Sequence, residues 1–181
     1  QAFISGMPIY AECGGLMYLC EGIRDFEGNR YETVGLVPAD CVMQQKLQKV
    51  GYVTATALVD TVVAKKGESF RGHEFHFSTM EWRNPEAAIP ALSFTGGRRN
   101  ETYTGGYCNG NLLASYLHMN FAGNEAAVKH FIDITFPEEP FFNKRFPPAL
   151  IISSGYSAII SSSTFFSVKS SFNFIFLTPN I

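Results

Sequence analysis

The sequence predicts an α/β protein with a mostly parallel sheet, helices on both faces and a β-rich insertion. Three stretches carry that expectation: a strand-to-helix elbow at residues 8–19, a β-branched and aromatic zone over 38–108, and a second apolar run at 111–121 that leads into a helical pattern. In the elbow, Pro8-Ile9-Tyr10-Ala11-Glu12 meets a single cysteine, Cys13, and Gly14 and Gly15 follow at once. Leu16, Leu19, Cys20 and Ile23 then fall at helical spacing and face a core. This is the local grammar of a nucleophile elbow, in which a strand turns sharply into a helix with a reactive side chain at the apex. A thiol there sits at the positive end of the helix dipole, which favours thiolate. The N–H groups after it, led by Gly14, point where an oxyanion would form.

The remaining elements follow in order. A loop around Glu27-Gly28-Asn29 precedes a return through Tyr31 to Val37. Residues 50–59 and 70–82 read as strands, and the Gly-Gly pairs at 96–97 and 105–106, the first followed by Arg98, Arg99 and Asn100, mark loops. Residues 111–121 form one apolar element ending near His118, at a sheet edge, and a helix runs over 124–132 with Asn124 as its cap. From Pro140 on the chain holds no Asp or Glu and is dominated by Ser, Phe and Ile. The expected organisation is therefore a partial domain over 1–137 and an atypical Ser/Phe-rich tail over 138–181, disordered or non-native. The uncharged stretch 146–168 is not read as a membrane span, because serines, a glycine and prolines dilute it.

Composition excludes several classes. A net charge of -2 over 181 residues offers no electrostatic case for nucleic acid or an anionic membrane as partner. Four cysteines, at 13, 20, 41 and 108, lack the paired spacing of a disulfide framework or structural zinc, so a reducing cytoplasm is the expected compartment. The chain opens on Gln1 rather than Met and leads at once into a strand, so it is expected to be an N-terminally truncated fragment.

Cys13 needs a base, and the histidines are 73, 76, 118 and 130. His118 closes an apolar run that would bring it to a neighbouring strand end, where a base can meet an elbow thiol. The plainer reading is a satisfied core histidine. His130 reads as structural. His73 and His76 would point to opposite faces of a strand, so no metal site is expected. Cys20, Cys41 and Cys108 read as small buried hydrophobes, and Trp82 and the phenylalanines as core. Glu12 reads as an anchor for the turn rather than a general acid.

Three segments together resemble the C-terminal class I glutamine amidotransferase domain of cobyrinic acid a,c-diamide synthases. They are Tyr10-Ala-Glu-Cys-Gly-Gly-Leu-Met-Tyr-Leu19, Arg71-Gly-His-Glu-Phe-His-Phe-Ser78 and Leu113-Ala-Ser-Tyr-Leu-His118, with Gly35-Leu-Val-Pro38 and Lys49-Val-Gly-Tyr52 also fitting. The likeness covers residues 5–136. The Ala-Glu-Cys-Gly-Gly-Leu-Met form separates this family from cobyric acid synthase and the peptidoglycan-amidating relatives. A nickel-tetrapyrrole diamide synthase shares the plan.

The resemblance implies a flavodoxin-like domain in which Cys13 attacks glutamine, His118 handles protons and Gly14 N–H supplies an oxyanion donor. Gly15 and Glu12 are substrate-site candidates. Ammonia would pass to an ATP- and Mg2+-dependent synthetase domain that amidates a corrinoid, so no cofactor is expected on this fragment, which has no Gly-x-x-x-x-Gly-Lys-[Ser/Thr] loop. Where many class I relatives place a Glu two residues after the histidine, this chain has Asn120, so a Cys–His dyad is implied. The family's other oxyanion strand would lie upstream of Gln1, leaving an open sheet edge, and losing one donor costs ~100- to 1,000-fold in rate. Two other readings stand beside this one: a non-catalytic amidotransferase-like partner domain, and a different cysteine hydrolase, such as a peptidase, on the same scaffold.

Overall fold

A computed structural model describes residues 1–97, 100–136, 150–153 and 173–176 of the chain. The first strand, β1 (Ile9–Glu12), runs into α1 (Gly14–Leu19), and β2 (Cys20–Arg24), β3 (Arg30–Glu32) and β4 (Val37–Met43) follow. Next come β5 (Lys49–Ala57), β6 (Ser69–His76), β7 (Ser78–Trp82), β8 (Leu92–Gly96), β9 (Glu101–Gly105) and β10 (Tyr107–Asn109). The last elements are β11 (Leu112–Ser115), β12 (His118–Met119), α2 (Glu125–Thr135), β13 (Leu150–Ser153) and β14 (Asn173–Phe176). They form three sheets, ordered β10-β11-β1-β13-β14, β12-β6-β5-β8-β9 and β3-β2-β4-β7.

The parallel character concentrates where the elbow is. β1 pairs in parallel with β11 on one side and β13 on the other, and β2 with β4; the other pairings are antiparallel. The two-residue period of a strand sorts the β1–β11 side chains into two cores. Ile9, Ala11, Leu112 and Ala114 pack with Leu16 and Leu19 of α1 and with Val37, Ala39 and Cys41 of β4. Tyr10 and Leu113, on the other face, pack with Ala127 and Phe131 of α2 and with Val53, Ala55 and Phe94 of the second sheet. The fold is α/β, with a helix on each face of the central pair.

Several sequence expectations change in detail. Residues 70–82 are two strands, not one: Phe77 sits at the break, where its carbonyl accepts from Gln44 N, and β7 leaves β5 to pair with β4. Residues 111–121 also split. Ser115 Oγ accepts from Leu117 N at 3.1 Å, the chain turns, and His118 belongs to a different sheet from β11. Asn124 does not cap α2 through its side chain; Oδ1 accepts from Arg71 N at 2.7 Å and Nδ2 donates to Arg71 O at 2.8 Å, stitching the helix start to β6. The β1 edge expected to stand open is paired by β13 in register Ile9↔Leu150 to Ala11↔Ile152, because an unpaired central edge leaves backbone groups without partners. Arg98, Arg99, the boundary at 137–138 and most of the Ser/Phe-rich segment, including nearly all of 146–168, lie outside the described residues. Among the described residues, no helix is long and apolar enough to cross a membrane.

Candidate active site

Cys13 stands between β1 and α1 with φ 48° and ψ -102°. A side chain at positive φ is strained, and such residues persist only where their surroundings over-determine them. Here the Cys13 N–H donates to Ser115 O at 2.7 Å and the Cys13 carbonyl accepts the first helical bond from Met17 N at 3.0 Å. The thiol is partly exposed, and Sγ lies 3.9 Å from the Phe75 carbonyl of β6. Gly14 and Gly15 open α1 and are buried.

Glu12 bridges the elbow to the histidine segment. The residue is 1% exposed, and Oε1 accepts from Met119 N at 2.8 Å. That bond and the one from Cys13 N to Ser115 O tie the entry to the elbow to the chain on both sides of His118. The carboxylate thus holds the Met119 backbone against the end of β1. Tyr10 shares its face of β1, and burial first, then the Glu12 charge, push its phenol well above the ordinary range.

His118 is gripped from β6 as well. It is the register partner of His73, and a Cβ at Gly72 would stand 2.5 Å from the His118 carbonyl oxygen and 2.7 Å from Leu117 Cδ1. Only glycine admits β12 that close. Two residues earlier, the Tyr116 ring stacks on His76 at 3.7 Å and 5°, and its hydroxyl hydrogen-bonds Ser78 Oγ at 2.8 Å. Burial, and secondly the neighbouring His73, hold the His118 imidazole below its usual value. A histidine neutral at neutral pH can accept a thiol proton, which is what a nucleophilic cysteine requires of its base.

The other candidates separate cleanly. Burial pushes the Cys20, Cys41 and Cys108 thiols up, and these groups stay protonated and unreactive. Cys108 is only half-buried, however, with Sγ 3.6 Å from Asp60 O, so it is not the core residue expected. His130 Nε2 hydrogen-bonds the Thr61 carbonyl at 3.1 Å. Asn120 Oδ1 accepts from Ala122 N and shapes the turn before α2. Among the described residues, no group of three or more His, Cys, Asp or Glu is placed to hold a metal. Phe26, Phe75 and Phe77 are exposed rather than core, since they lie in a loop, on the outer face of β6 and at a strand break.

Sequence reasoning missed Gly72, Ser115, Tyr116 and His76 as supports. Gly72 carried a usable signal, because a glycine inside a strand pattern marks close backbone approach. The others carry no comparable signal, since the Cys13–Ser115 backbone bond and the His76–Tyr116 ring pair are contacts between residues far apart in the chain.

A cysteine on a strand-to-helix elbow, with a histidine three residues past the end of the neighbouring parallel strand, fits the class of α/β proteins that place a cysteine nucleophile at such a turn. The chain belongs to the family of CobB/CobQ-like glutamine amidotransferase domains, whose pattern matches residues 1–126. The cobyrinate a,c-diamide synthase of Caldanaerobacter subterraneus subsp. tengcongensis is 46% identical over 133 residues, covering 74% of this chain and 29% of that protein. The protein of the same name from Dehalococcoides mccartyi is 44% identical over 138 residues, covering 75% and 29%. That of Listeria innocua is 47% identical over 124 residues, covering 68% and 27%. The chain thus spans less than a third of the length of these curated relatives. The resemblance drawn from the three short motifs is borne out.

Proposed function

We propose that this chain is the glutamine-hydrolysing part of an ATP-dependent cobyrinate a,c-diamide synthase of cobalamin biosynthesis. The observation that carries the proposal is the double tether, Cys13 N to Ser115 O and Glu12 Oε1 to Met119 N, in a chain of this family.

His118 takes the Cys13 thiol proton, and the thiolate attacks the side-chain carbonyl carbon of glutamine. The tetrahedral oxyanion is met by the Gly14 N–H. The imidazolium returns its proton to the departing nitrogen; the C–N bond breaks, ammonia leaves and a γ-glutamyl thioester remains on Cys13. Water, deprotonated by His118, then cleaves the thioester to give glutamate and the free thiol. Gly15 and Glu12 border the substrate site, Glu12 chiefly through its hold on Met119. Ammonia is consumed by a synthetase domain that binds ATP, Mg2+ and the corrinoid outside residues 1–181. Free thiols at positions 20, 41 and 108 suit a reducing compartment, and the cytoplasm is the proposed location.

The test is mass-spectrometric mapping of labelling by a glutamine-mimicking electrophile, with and without excess glutamine, on the chain and its His118→Ala variant. Selective labelling of Cys13 that glutamine prevents, and that weakens without His118, is expected. Labelling that glutamine leaves untouched would point instead to another cysteine hydrolase. No preference for Cys13 over the other thiols would point to a non-catalytic domain.

A further inference from the structure

One row of side chains crosses the second sheet beside the elbow. Tyr52 on β5, His73 on β6 and His118 on β12 are successive register partners. Register partners on antiparallel strands project to the same face, with Cβ atoms roughly 4.5–5.5 Å apart. Gly72 lets β12 sit tightly against β6 at this point. The His73 ring meets the Tyr52 ring edge-on at 5.1 Å and 64°, so His73 is held between an aromatic ring and the candidate base. Where a cysteine–histidine site commonly sets a carboxylate to orient the base, the position beside His118 is taken by a second imidazole.

We infer that His73 is a positioning residue for His118, acting as a neighbouring like charge that keeps the base free to accept a proton. The inference rests on the proposed roles of Cys13 and His118. A positive charge at position 73 disfavours a second one on the His118 ring beside it in the row. The direction agrees with the effect His73 has on His118, which lies second to burial. Once His118 has taken the Cys13 proton, the same repulsion makes it a readier donor to the leaving nitrogen.

Further titratable groups lie on the neighbouring elements. Arg71, Glu74 and His76 lie on β6, Glu12 and Cys13 at the end of β1, Lys49 on β5 and Glu125 at the start of α2. His76 is itself held down by burial, with Lys49 and His118 adding to it. All of these stay in place when position 73 alone is changed, so differences between substitutions there isolate the contribution of His73.

The experiment is a histidine ring NMR titration of the full chain, with the His118 signal assigned through His118→Gln, alongside the pH profile of Cys13 alkylation. His73→Gln removes the imidazole, and His73→Arg puts a permanent positive charge at that position. The His118 midpoint is expected to move up in the first and down in the second. The acid edge of Cys13 alkylation should follow each, while rates well above both midpoints match the parent. A midpoint unmoved in both variants, or moved the same way in both, would overturn the inference; a merely structural role depresses the rate at every pH without that opposition. Glutamine protection of Cys13 in the parent chain reads the proposed function separately. Opposed midpoint shifts without protection would leave the coupling standing and remove the glutaminase.

Discussion

At Glu12 one buried carboxylate spans 107 residues of sequence to reach Met119 N. Truncating it leaves that N–H without its acceptor in a closed interior, at a cost of about 1–3 kcal/mol. Glu12→Ala should therefore lower thermal stability and slow Cys13 alkylation together. Glu12→Gln retains an oxygen that can accept from Met119 N and should recover much of both, which differential scanning calorimetry and thiol kinetics on the two variants would check. The strain at Cys13 belongs to the same residue-scale economy. A φ of 48° at a residue with a Cβ persists because the Ser115 and Met17 backbone bonds hold it on both sides.

Between elements, the decisive contact is β6 against β12. Gly72→Ala would place a methyl carbon 2.5 Å from the His118 carbonyl, so the two strands must part. Overpacking of this kind costs about 1–3 kcal/mol, and the displacement falls on the segment that carries His118. The expected outcome is a loss of roughly tenfold or more in Cys13 alkylation with the chain still folded, read by thiol kinetics and circular dichroism on one sample. The elbow was legible in sequence because everything it needs is local: a strand, one cysteine, two glycines and a helical repeat. The split of 111–121 was not. Ser115 Oγ can fold onto Leu117 N locally, but a serine in an apolar run does not require it; the break is fixed by β6 receiving His118. The same holds for Asn124, a good cap by type, whose side chain is drawn instead to the Arg71 backbone.

Over the whole molecule, charge ties β2, β3 and β4 together at one point. Asp40 accepts from Arg30 Nε at 2.8 Å and pairs with Arg24 at 3.0 Å. The Arg30 guanidinium, joined by Arg24, holds the Asp40 carboxyl below the usual carboxylate range against the opposing pull of burial. A carboxyl whose folded value is depressed binds fewer protons in the native state than in the unfolded chain. Its stabilisation is full above the unfolded value and is lost as pH falls through the folded one. Asp40→Asn should thus cost about 1 kcal/mol at neutral pH, the arginines being partly exposed. The difference from the parent should vanish in strong acid, and urea unfolding across pH would show whether it does. The two cores on either face of β1 and β11 are less sensitive to pH, since apolar burial carries them.

By itself the sequence determined the class of the chain, the elbow with Cys13 at its apex, and the family, because short-range pattern and a few ordered motifs specify those. The tertiary structure alone decided what surrounds the candidate site: the Glu12 bond to Met119, the approach of β12 over Gly72, the row Tyr52–His73–His118, and the pairing of β13 with β1. Each of these joins residues far apart in the chain. Which distant groups meet follows from closing sheets and burying two faces at once, and that choice is made over the whole molecule rather than in any window of it.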